Sequence, residues 1–200
     1  MKTLKAEGLA DNTLVFFTSD NGPWLIFNTH GGSAGLLRDG KGSTWEGGMR
    51  EPGIAWWPGK IKPHTNHEIA STMDIYTTCL TLAGAKVPGD RVVDGVDLSP
   101  ALFGNGKVKR DTYFYYRGQK LYAVRKGPWK AHYLTRGAYG RSKEEQHDPP
   151  ILYHLDHDPS EKLDVAADHP DVLAEIAKEV ANHKAKLKLG KPQLEELIKN

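Results

Sequence analysis

A long glycine-rich segment directly follows a short apolar run, and this arrangement restricts the folds that the chain can adopt. The apolar run, residues 13–19 (TLVFFTS), is rich in β-branched and aromatic residues, which predicts a strand buried on both faces, as in a parallel sheet. Residues 22–50 contain eight glycines and show little periodicity, so we expect a long loop with local turns. Long ordered loops in compact domains are usually functional. The segment from Leu14 to Pro52 is therefore the first candidate for a functional site.

Two potential metal ligands, Asp20 and Asn21, come directly after the predicted strand. Ligands of open α/β sheets bind beyond the carboxyl ends of the strands, and a carboxylate beside an amide carbonyl suits Ca²⁺ or Mg²⁺ better than zinc. Two ligands do not complete such a site, so further oxygen atoms must come from elsewhere. The alternative is a β-hairpin, because Asn21-Gly22 is a strong turn signal. Pro23 weakens that alternative, since proline cannot donate to a sheet ladder.

A single lysine, Lys41, lies between two glycines in the same segment. Flanking glycines permit the close approach of a ligand, and a lysine ammonium is a mobile point charge that can bind a sulfate or phosphate oxygen. An exposed loop lysine without a function is the alternative, and the Walker phosphate-binding pattern is absent. Glu46, Arg50 and Glu51 could be catalytic. A buried structural ion network is the simpler interpretation of these three, because charges removed from water need partners.

The remaining sequence predicts an α/β protein in two parts, residues 1–110 and residues 111–200. In the first part, residues 53–57 predict a strand and residues 67–85 predict an amphipathic helix that ends at Gly84. In the second part, four short aromatic-rich runs predict an antiparallel meander, and they cover residues 112–116, 121–125, 129–134 and 151–155. An amphipathic helix over residues 170–188, capped by Asp168, follows.

The composition and spacing argue against several functions. A net charge of +2 gives no strong positive potential that would attract nucleic acid, and no apolar stretch reaches the ~20 residues that span a bilayer. The single cysteine, Cys79, excludes an intrachain disulfide. The histidines show no zinc-site spacing, and there is no nucleophile-elbow motif. The N-terminal residues lack the apolar core of a signal peptide, and the cellular compartment stays open.

Two motifs, TSDNGP at residues 18–23 and GKGSTWEGGMREP at residues 40–52, resemble the type I sulfatases, and the arylsulfatase A group in particular. Similar stretches follow in one consistent order along essentially the whole chain. The resemblance implies an alkaline-phosphatase-like α/β fold, with a large mostly parallel sheet and a small four-stranded antiparallel sheet with a packed helix. It also implies hydrolysis of sulfate esters, with a formylglycine nucleophile and one Ca²⁺ or Mg²⁺ ion.

In the pattern of that family, Asp20 and Asn21 correspond to two metal ligands. Lys41 corresponds to the lysine that contacts the sulfate and helps to discharge the leaving oxygen. The formylglycine signature, Cys-x-Pro-x-Arg or its serine variant, is absent, because Cys79 begins the sequence CLTLA. We therefore expect the chain to be the C-terminal portion of a sulfatase that is inactive without its missing N-terminal portion. Asp39 stands where animal lysosomal relatives have a cysteine.

Two other functions stay open at this point. The chain could be a non-catalytic binding or scaffolding module that retains the tail of the sulfatase fold. It could also belong to a phosphoesterase of the same superfamily with a different nucleophile. The expected substrate is a sulfated small molecule or carbohydrate, and the sequence does not identify which.

Overall fold

The computed structural model describes residues 1–140 and 142–188, and in these ranges the chain forms two sheets and five α-helices. None of these helices is long and apolar enough to cross a membrane. The elements in chain order are α1 (Lys2–Ala6), β1 (Val15–Phe17), α2 (Glu46–Met49), β2 (Ile54–Trp56), α3 (Met73–Leu82), α4 (Ser99–Leu102), β3 (Thr112–Arg117), β4 (Lys120–Lys126), β5 (Trp129–Thr135), β6 (Glu145–His154) and α5 (Pro170–Lys186). Short 3₁₀ helices cover Ala10–Asn12, Leu25–Gly31, Ala138–Gly140 and Ala166–Asp168.

The larger sheet is an antiparallel meander in the order β3-β4-β5-β6, which confirms the strands predicted after residue 111. Gly118 and Gly127 close its first two turns with positive φ angles of 58° and 54°, a conformation that glycine adopts without steric cost. Strand β6 begins at Glu145, six residues before the predicted run, so the polar connection after β5 is shorter than expected.

The two faces of the meander pack against different parts of the chain. Helix α5 covers one face, where Ile176 packs against Val124, Ala131 and Leu152, all fully buried. Side chains alternate between the faces of a strand, so the neighbours of Ala131 on β5, Lys130 and His132, belong to the opposite face. Trp45 from the glycine-rich loop packs on that opposite face. The meander therefore supports the candidate loop.

The smaller sheet pairs β1 with β2 in the antiparallel direction, with Val15 opposite Trp56. Both strands were predicted, but Phe17 is 66% exposed. The buried parallel environment expected for residues 13–19 is therefore not present among the described residues. The hairpin alternative for the segment after β1 is wrong, because residues 25–31 form a 3₁₀ helix and the partner of β1 is β2.

Both predicted helices are present. The first begins later than predicted, and the second has a different capping residue. Helix α3 begins at Met73, because the Asp74 carboxylate accepts a hydrogen bond from the Ser71 N–H (2.7 Å) and organises the preceding residues as a turn. Helix α5 matches its prediction to within two residues in the described range, but Asp168 does not cap it. The capping residue is His169, which makes no side-chain capping bond. The expected boundary after residue 110 stays a prediction.

Candidate active site

The turn that follows β1 lies against the glycine-rich loop, backbone to backbone. The Gly22 N–H donates to the Gly48 carbonyl (3.1 Å), and the Lys41 N–H donates to the Pro23 carbonyl (3.0 Å). A Cβ atom on Gly22 would lie 1.8 Å from the carbonyl oxygen of Gly47, so a larger residue would force the two segments apart. This contact places the predicted metal ligands and the predicted sulfate-binding lysine in one region of the molecule.

The two predicted metal ligands offer oxygen atoms at the end of this turn. Asp20 is exposed, and Asn21 Nδ2 donates to the Gly22 carbonyl (3.1 Å), while the Asn21 Oδ1 atom accepts no hydrogen bond from the described residues. Burial and the negative charge of Asp20 both raise the pKa of Glu51. Glu51 Oε1 is also buried without a hydrogen-bond partner among the described residues. Two neighbouring carboxylates and a free amide oxygen fit a hard divalent cation.

In residues 1–140 and 142–188, no three or more His, Cys, Asp or Glu side chains form a group that could hold a metal ion.

Lys41 is half-buried, and its ammonium group lies beside an aromatic ring. The Nζ atom is 5.6 Å from the centroid of the Trp24 ring, within the range of a cation–π interaction. It has no ion pair with any residue in the described part of the chain. The Ser43 hydroxyl donates to the Gly40 carbonyl (3.0 Å) and holds the turn around Lys41 closed. The ammonium group is thus not neutralised by a carboxylate of the described residues and can bind an anionic group.

Asp39 links the glycine-rich loop that carries Lys41, called the lysine loop below, to the segment between β5 and β6. Its backbone is left-handed, with a φ angle of 61°. One carboxylate oxygen accepts a hydrogen bond from the Gly40 N–H, and the other accepts one from the Ala138 N–H, both at 2.9 Å. At the position where animal relatives are expected to carry a cysteine, this chain has a non-covalent connection.

Four fully buried polar residues fasten the lysine loop to the meander: Glu46, Lys130, His132 and Glu161. We refer to these four residues as the buried ion cluster. Lys130 Nζ lies 2.8 Å from Glu46 Oε1 and 3.1 Å from Glu161 Oε1. It also donates a hydrogen bond to the Thr44 carbonyl (2.8 Å). The lysine therefore holds both a side chain and the backbone of the loop.

Glu161 and His132 complete the buried ion cluster. Glu161 Oε2 accepts a hydrogen bond from the Glu46 N–H (2.6 Å), and His132 Nε2 lies 2.7 Å from Glu161 Oε1. Burial opposes ionisation of Glu161, but Lys130 and His132 outweigh it and hold the pKa of Glu161 below its usual range. Burial lowers the pKa of His132 to about 4, so the imidazole is neutral at pH 7. Arg125 lies 3.7 Å from Glu46. The two carboxylates of the cluster therefore face two cations, Lys130 and Arg125.

The structure confirms part of the sequence prediction for this region. Glu46 belongs to a buried ion network, as expected, whereas Arg50 is exposed and Glu51 lies apart from the network. The sequence reasoning did not single out Lys130 or Glu161. The alternation of Lys130 and His132 with apolar neighbours on a short strand ordinarily indicates a solvent-facing side, so no local signal marked Lys130 as buried.

Comparison with known proteins identifies the family. Residues 1–85 match the family described as Sulfatase, and residues 108–200 match the family described as the C-terminal region of aryl-sulfatase. Arylsulfatase A of Bos taurus is 42% identical over 204 residues, which cover 94% of this chain and 39% of that protein.

Solved structures agree with the sequence comparison. The PsFucS1 sulfatase from Pseudoalteromonas sp. superposes with a TM-score of 0.83 at 32% identity, over 92% of this chain and 39% of that one. The structure of Ps i-CgsB in complex with k-i-k-neocarrahexaose superposes with a TM-score of 0.71 at 31% identity, over 90% of this chain and 38% of that one.

The chain belongs to the sulfatase family, and it corresponds to the C-terminal portion of the sulfatase fold. The α/β class with a four-stranded antiparallel sheet is confirmed as well. The chain spans about two fifths of the length of the curated relatives that it matches.

Proposed function

We propose that this chain carries part of the active site of a sulfuric ester hydrolase. Asp20 and Asn21 are ligands of one Ca²⁺ or Mg²⁺ ion, and Lys41 is the residue that contacts the sulfate group. The observation that supports this proposal is the backbone contact between the two segments, in which the Lys41 N–H bonds to the Pro23 carbonyl. Membership of the sulfatase family points to the same chemistry.

Each residue has a distinct role in the proposed reaction. When bound, the divalent ion neutralises charge on the sulfate oxygens. Asp20 and Asn21 supply oxygen ligands on one side of that ion. Lys41 places a positive charge where negative charge develops on the departing alkoxide or phenoxide oxygen, and such a charge acts most strongly when it is already in position.

The nucleophile and the remaining ligands belong, in this proposal, to residues outside the present chain. The family pattern supplies a formylglycine nucleophile, and no Cys-x-Pro-x-Arg or Ser-x-Pro-x-Arg sequence occurs in these 200 residues. We expect the isolated chain to lack activity and the complete protein to hydrolyse sulfate esters. Translating the DNA directly upstream of Met1 tests this expectation, because the signature should appear there.

The decisive experiment is the replacement of Lys41 by alanine in the complete protein, with nitrophenyl sulfate as the substrate. Loss of a positioned charge at the leaving oxygen should lower kcat about 100- to 1,000-fold. Lys60→Ala is the matched control, because Lys60 Nζ lies over a tryptophan ring at a similar distance, 5.9 Å from the centroid of Trp57. That variant should keep normal activity. Near-normal hydrolysis by Lys41→Ala would remove Lys41 from the active site.

The same purified protein separates the alternatives that the sequence left open. Faster hydrolysis of nitrophenyl phosphate than of nitrophenyl sulfate would favour the phosphoesterase. Binding of a sulfated carbohydrate without hydrolysis, and without dependence on Ca²⁺ or Mg²⁺, would favour the binding module. Asp20→Asn should weaken Ca²⁺ or Mg²⁺ binding in a calorimetric titration. An unchanged affinity would exclude Asp20 as a ligand.

A further inference from the structure

Three cationic side chains and one carboxylate meet at the end of the meander where the β3–β4 turn and the β5–β6 connection lie. Arg117 ends β3 and is paired with Lys120, the first residue of β4. Arg136 directly follows β5 and Glu144 directly precedes β6, and these two strands are paired up to those ends. Lys120 Nζ lies 2.6 Å from Glu144 Oε1, which joins the two pairs of strand ends. Positive charge is therefore in excess at this end of the sheet.

The carboxylate of Glu144 is already engaged. Lys120 donates a hydrogen bond to one oxygen, and the hydroxyl of Tyr122 donates to the other. The bonds from Lys120 and Tyr122, together with the positive charge of Arg136, hold the pKa of Glu144 below its usual range. Glu144 is therefore ionised at pH 7, and its two oxygens serve the lysine and the tyrosine first.

The two arginines lack such partners. Arg117 Nη1 and Arg136 Nε are shielded from solvent and donate no hydrogen bond to a described residue. Neither guanidinium group forms an ion pair in the described part of the chain. Buried donors without an acceptor cost free energy, and a guanidinium group is a planar fork that matches the oxygens of a phosphate or sulfate. Both side chains are thus suited to an anion that the described residues do not supply.

Both guanidinium groups act on the same neighbours. Burial and the hydrogen bond to Glu144 raise the pKa of Tyr122, and the positive charge of Arg117 opposes this rise. The hydrogen bond to Glu144 likewise raises the pKa of Lys120, and the positive charge of Arg136 opposes it. The two arginines therefore lie on either side of one lysine–glutamate pair, within electrostatic range of it.

Short connections hold these side chains in place. Two residues join Arg117 to Lys120. After Arg136, the Gly137 N–H donates to the Ser142 hydroxyl (2.7 Å), which closes the segment between β5 and β6. A cationic group that is positioned before binding loses little conformational entropy when it takes up an anion.

We propose that Arg117 and Arg136 bind a tetrahedral oxyanion, a phosphate or sulfate ion, with Lys120 adding a third positive charge. A dianion would compensate the excess of positive charge at this end of the meander and would supply acceptors to both guanidinium groups. It would also connect the β3–β4 turn to the segment between β5 and β6. The site does not include Lys41, and it does not depend on the proposed hydrolase function.

A calorimetric titration with inorganic phosphate at pH 7 tests the site. The complete protein carries Lys41→Ala and is freed of divalent ions by dialysis, so that neither Lys41 nor a metal ion can hold the phosphate. We expect one saturable phosphate per molecule. Arg117→Gln and Arg136→Gln should each raise the Kd about tenfold or more, because each removes charge-assisted hydrogen bonds.

Arg91→Gln is the matched control, because it makes the same change of charge elsewhere. Arg91 pairs with Asp90 at 2.6 Å, and both side chains are exposed. This variant should keep the Kd for phosphate within about twofold. Absence of phosphate binding to the Lys41→Ala protein would overturn the site and would leave the proposed function untouched. An equal response to chloride at the same ionic strength would also overturn it, since that response needs only a diffuse positive charge.

Thermal unfolding separates an anion site from a structural role of the arginines. Without phosphate, Arg117→Gln should melt no lower than its parent protein, because it removes a cation that has no partner. Phosphate should raise the Tm of the parent and leave that of the variant unchanged. A lower Tm of both glutamine variants without phosphate would show that the arginines have protein partners, and would refute the proposal. Arg117→Lys replaces Arg117→Gln if the latter does not fold, and it should still weaken phosphate binding because lysine lacks the planar fork.

Discussion

Replacing Lys130 by methionine should remove a large part of the folding stability of this protein. The side chain is fully buried, and its ammonium group contacts Glu46 at 2.8 Å and Glu161 at 3.1 Å. Methionine fills a similar volume but supplies no charge. The variant would leave two buried carboxylates, with Arg125 at 3.7 Å from Glu46 as their remaining cation in the described structure. Breaking a buried ion pair in this way costs about 3–5 kcal/mol.

A second substitution distinguishes charge imbalance from loss of packing. In Lys130→Met combined with Glu161→Gln, one positive and one negative charge are removed together. Glu46 then retains Arg125 as its partner, and the amide of the glutamine can still accept the Glu46 N–H. We expect the double variant to recover about half or more of the lost stability, because the uncompensated carboxylate at Glu161 causes most of the loss.

Lys126 provides the matched control for these variants. It lies at the end of β4, and its ammonium group is 2.9 Å from Glu179 and 3.4 Å from Glu175. Its carboxylate partners reach the solvent, and such pairs contribute about 0–1 kcal/mol. Lys126→Met should therefore cost little, although it also removes a lysine with three acidic neighbours, Asp111, Glu175 and Glu179.

The measurement is the free energy of unfolding from urea titration at pH 7, followed by tryptophan fluorescence. Trp45 is a suitable reporter because its ring lies 4.3 Å from the ring of His132, next to Lys130. The reasoning is refuted if Lys130→Met loses no more stability than Lys126→Met. It is also refuted if the double variant is less stable than Lys130→Met alone, because the remaining buried charge would then not be the source of the loss.

Two further predictions concern the same region. Because the folded pKa of His132 is about 4 against about 6.5 when unfolded, the stability that it contributes is complete above pH 6.5 and is lost as the pH falls towards 4. Between pH 7 and pH 5 the free energy of unfolding should fall by about 2 kcal/mol in urea titrations. His132→Gln should show a smaller fall. An equal fall in both proteins would contradict the burial of a neutral imidazole at position 132. Gly22→Ala should lower kcat/KM for nitrophenyl sulfate about 100-fold by separating the two loop segments, since a Cβ would lie 1.8 Å from the Gly47 oxygen. Gly53→Ala, where a Cβ meets nothing within 4 Å, should be neutral, and equal effects of the two would exclude the steric explanation.

The meander could be predicted from the sequence because its signals are local. Short aromatic runs separated by glycines specify strands and tight turns, and consecutive antiparallel strands then pair as neighbours. The structure adds length to β6 but changes no pairing. The partner of β1 could not be predicted in the same way. A run such as TLVFFTS fits either direction of pairing, and only the tertiary structure places Val15 opposite Trp56.

The buried ion cluster depends on contacts that no local pattern reveals. Glu46 is separated by 84 residues from Lys130 and by 115 residues from Glu161. A lysine in a short strand usually indicates a solvent-facing position, so Lys130 gave no sign of full burial. The predicted roles of Asp20, Asn21 and Lys41 depended on the family resemblance, because residue type alone favoured a hairpin turn and an exposed loop lysine.

The geometry around Lys41 depends on the meander as well as on its own loop. On the C-terminal side of Lys41, the buried ion cluster holds residues 44–46 on the sheet through Lys130 and the Glu46 N–H. On the N-terminal side, Arg38 packs over the Trp45 ring at 3.6 Å and donates to the Glu161 carbonyl (2.7 Å). Because the loop is fastened on both sides of Lys41, a shift of the meander would be transmitted to the ammonium group. The C-terminal part of this fold therefore fixes the position of the Lys41 charge on which the proposed function depends.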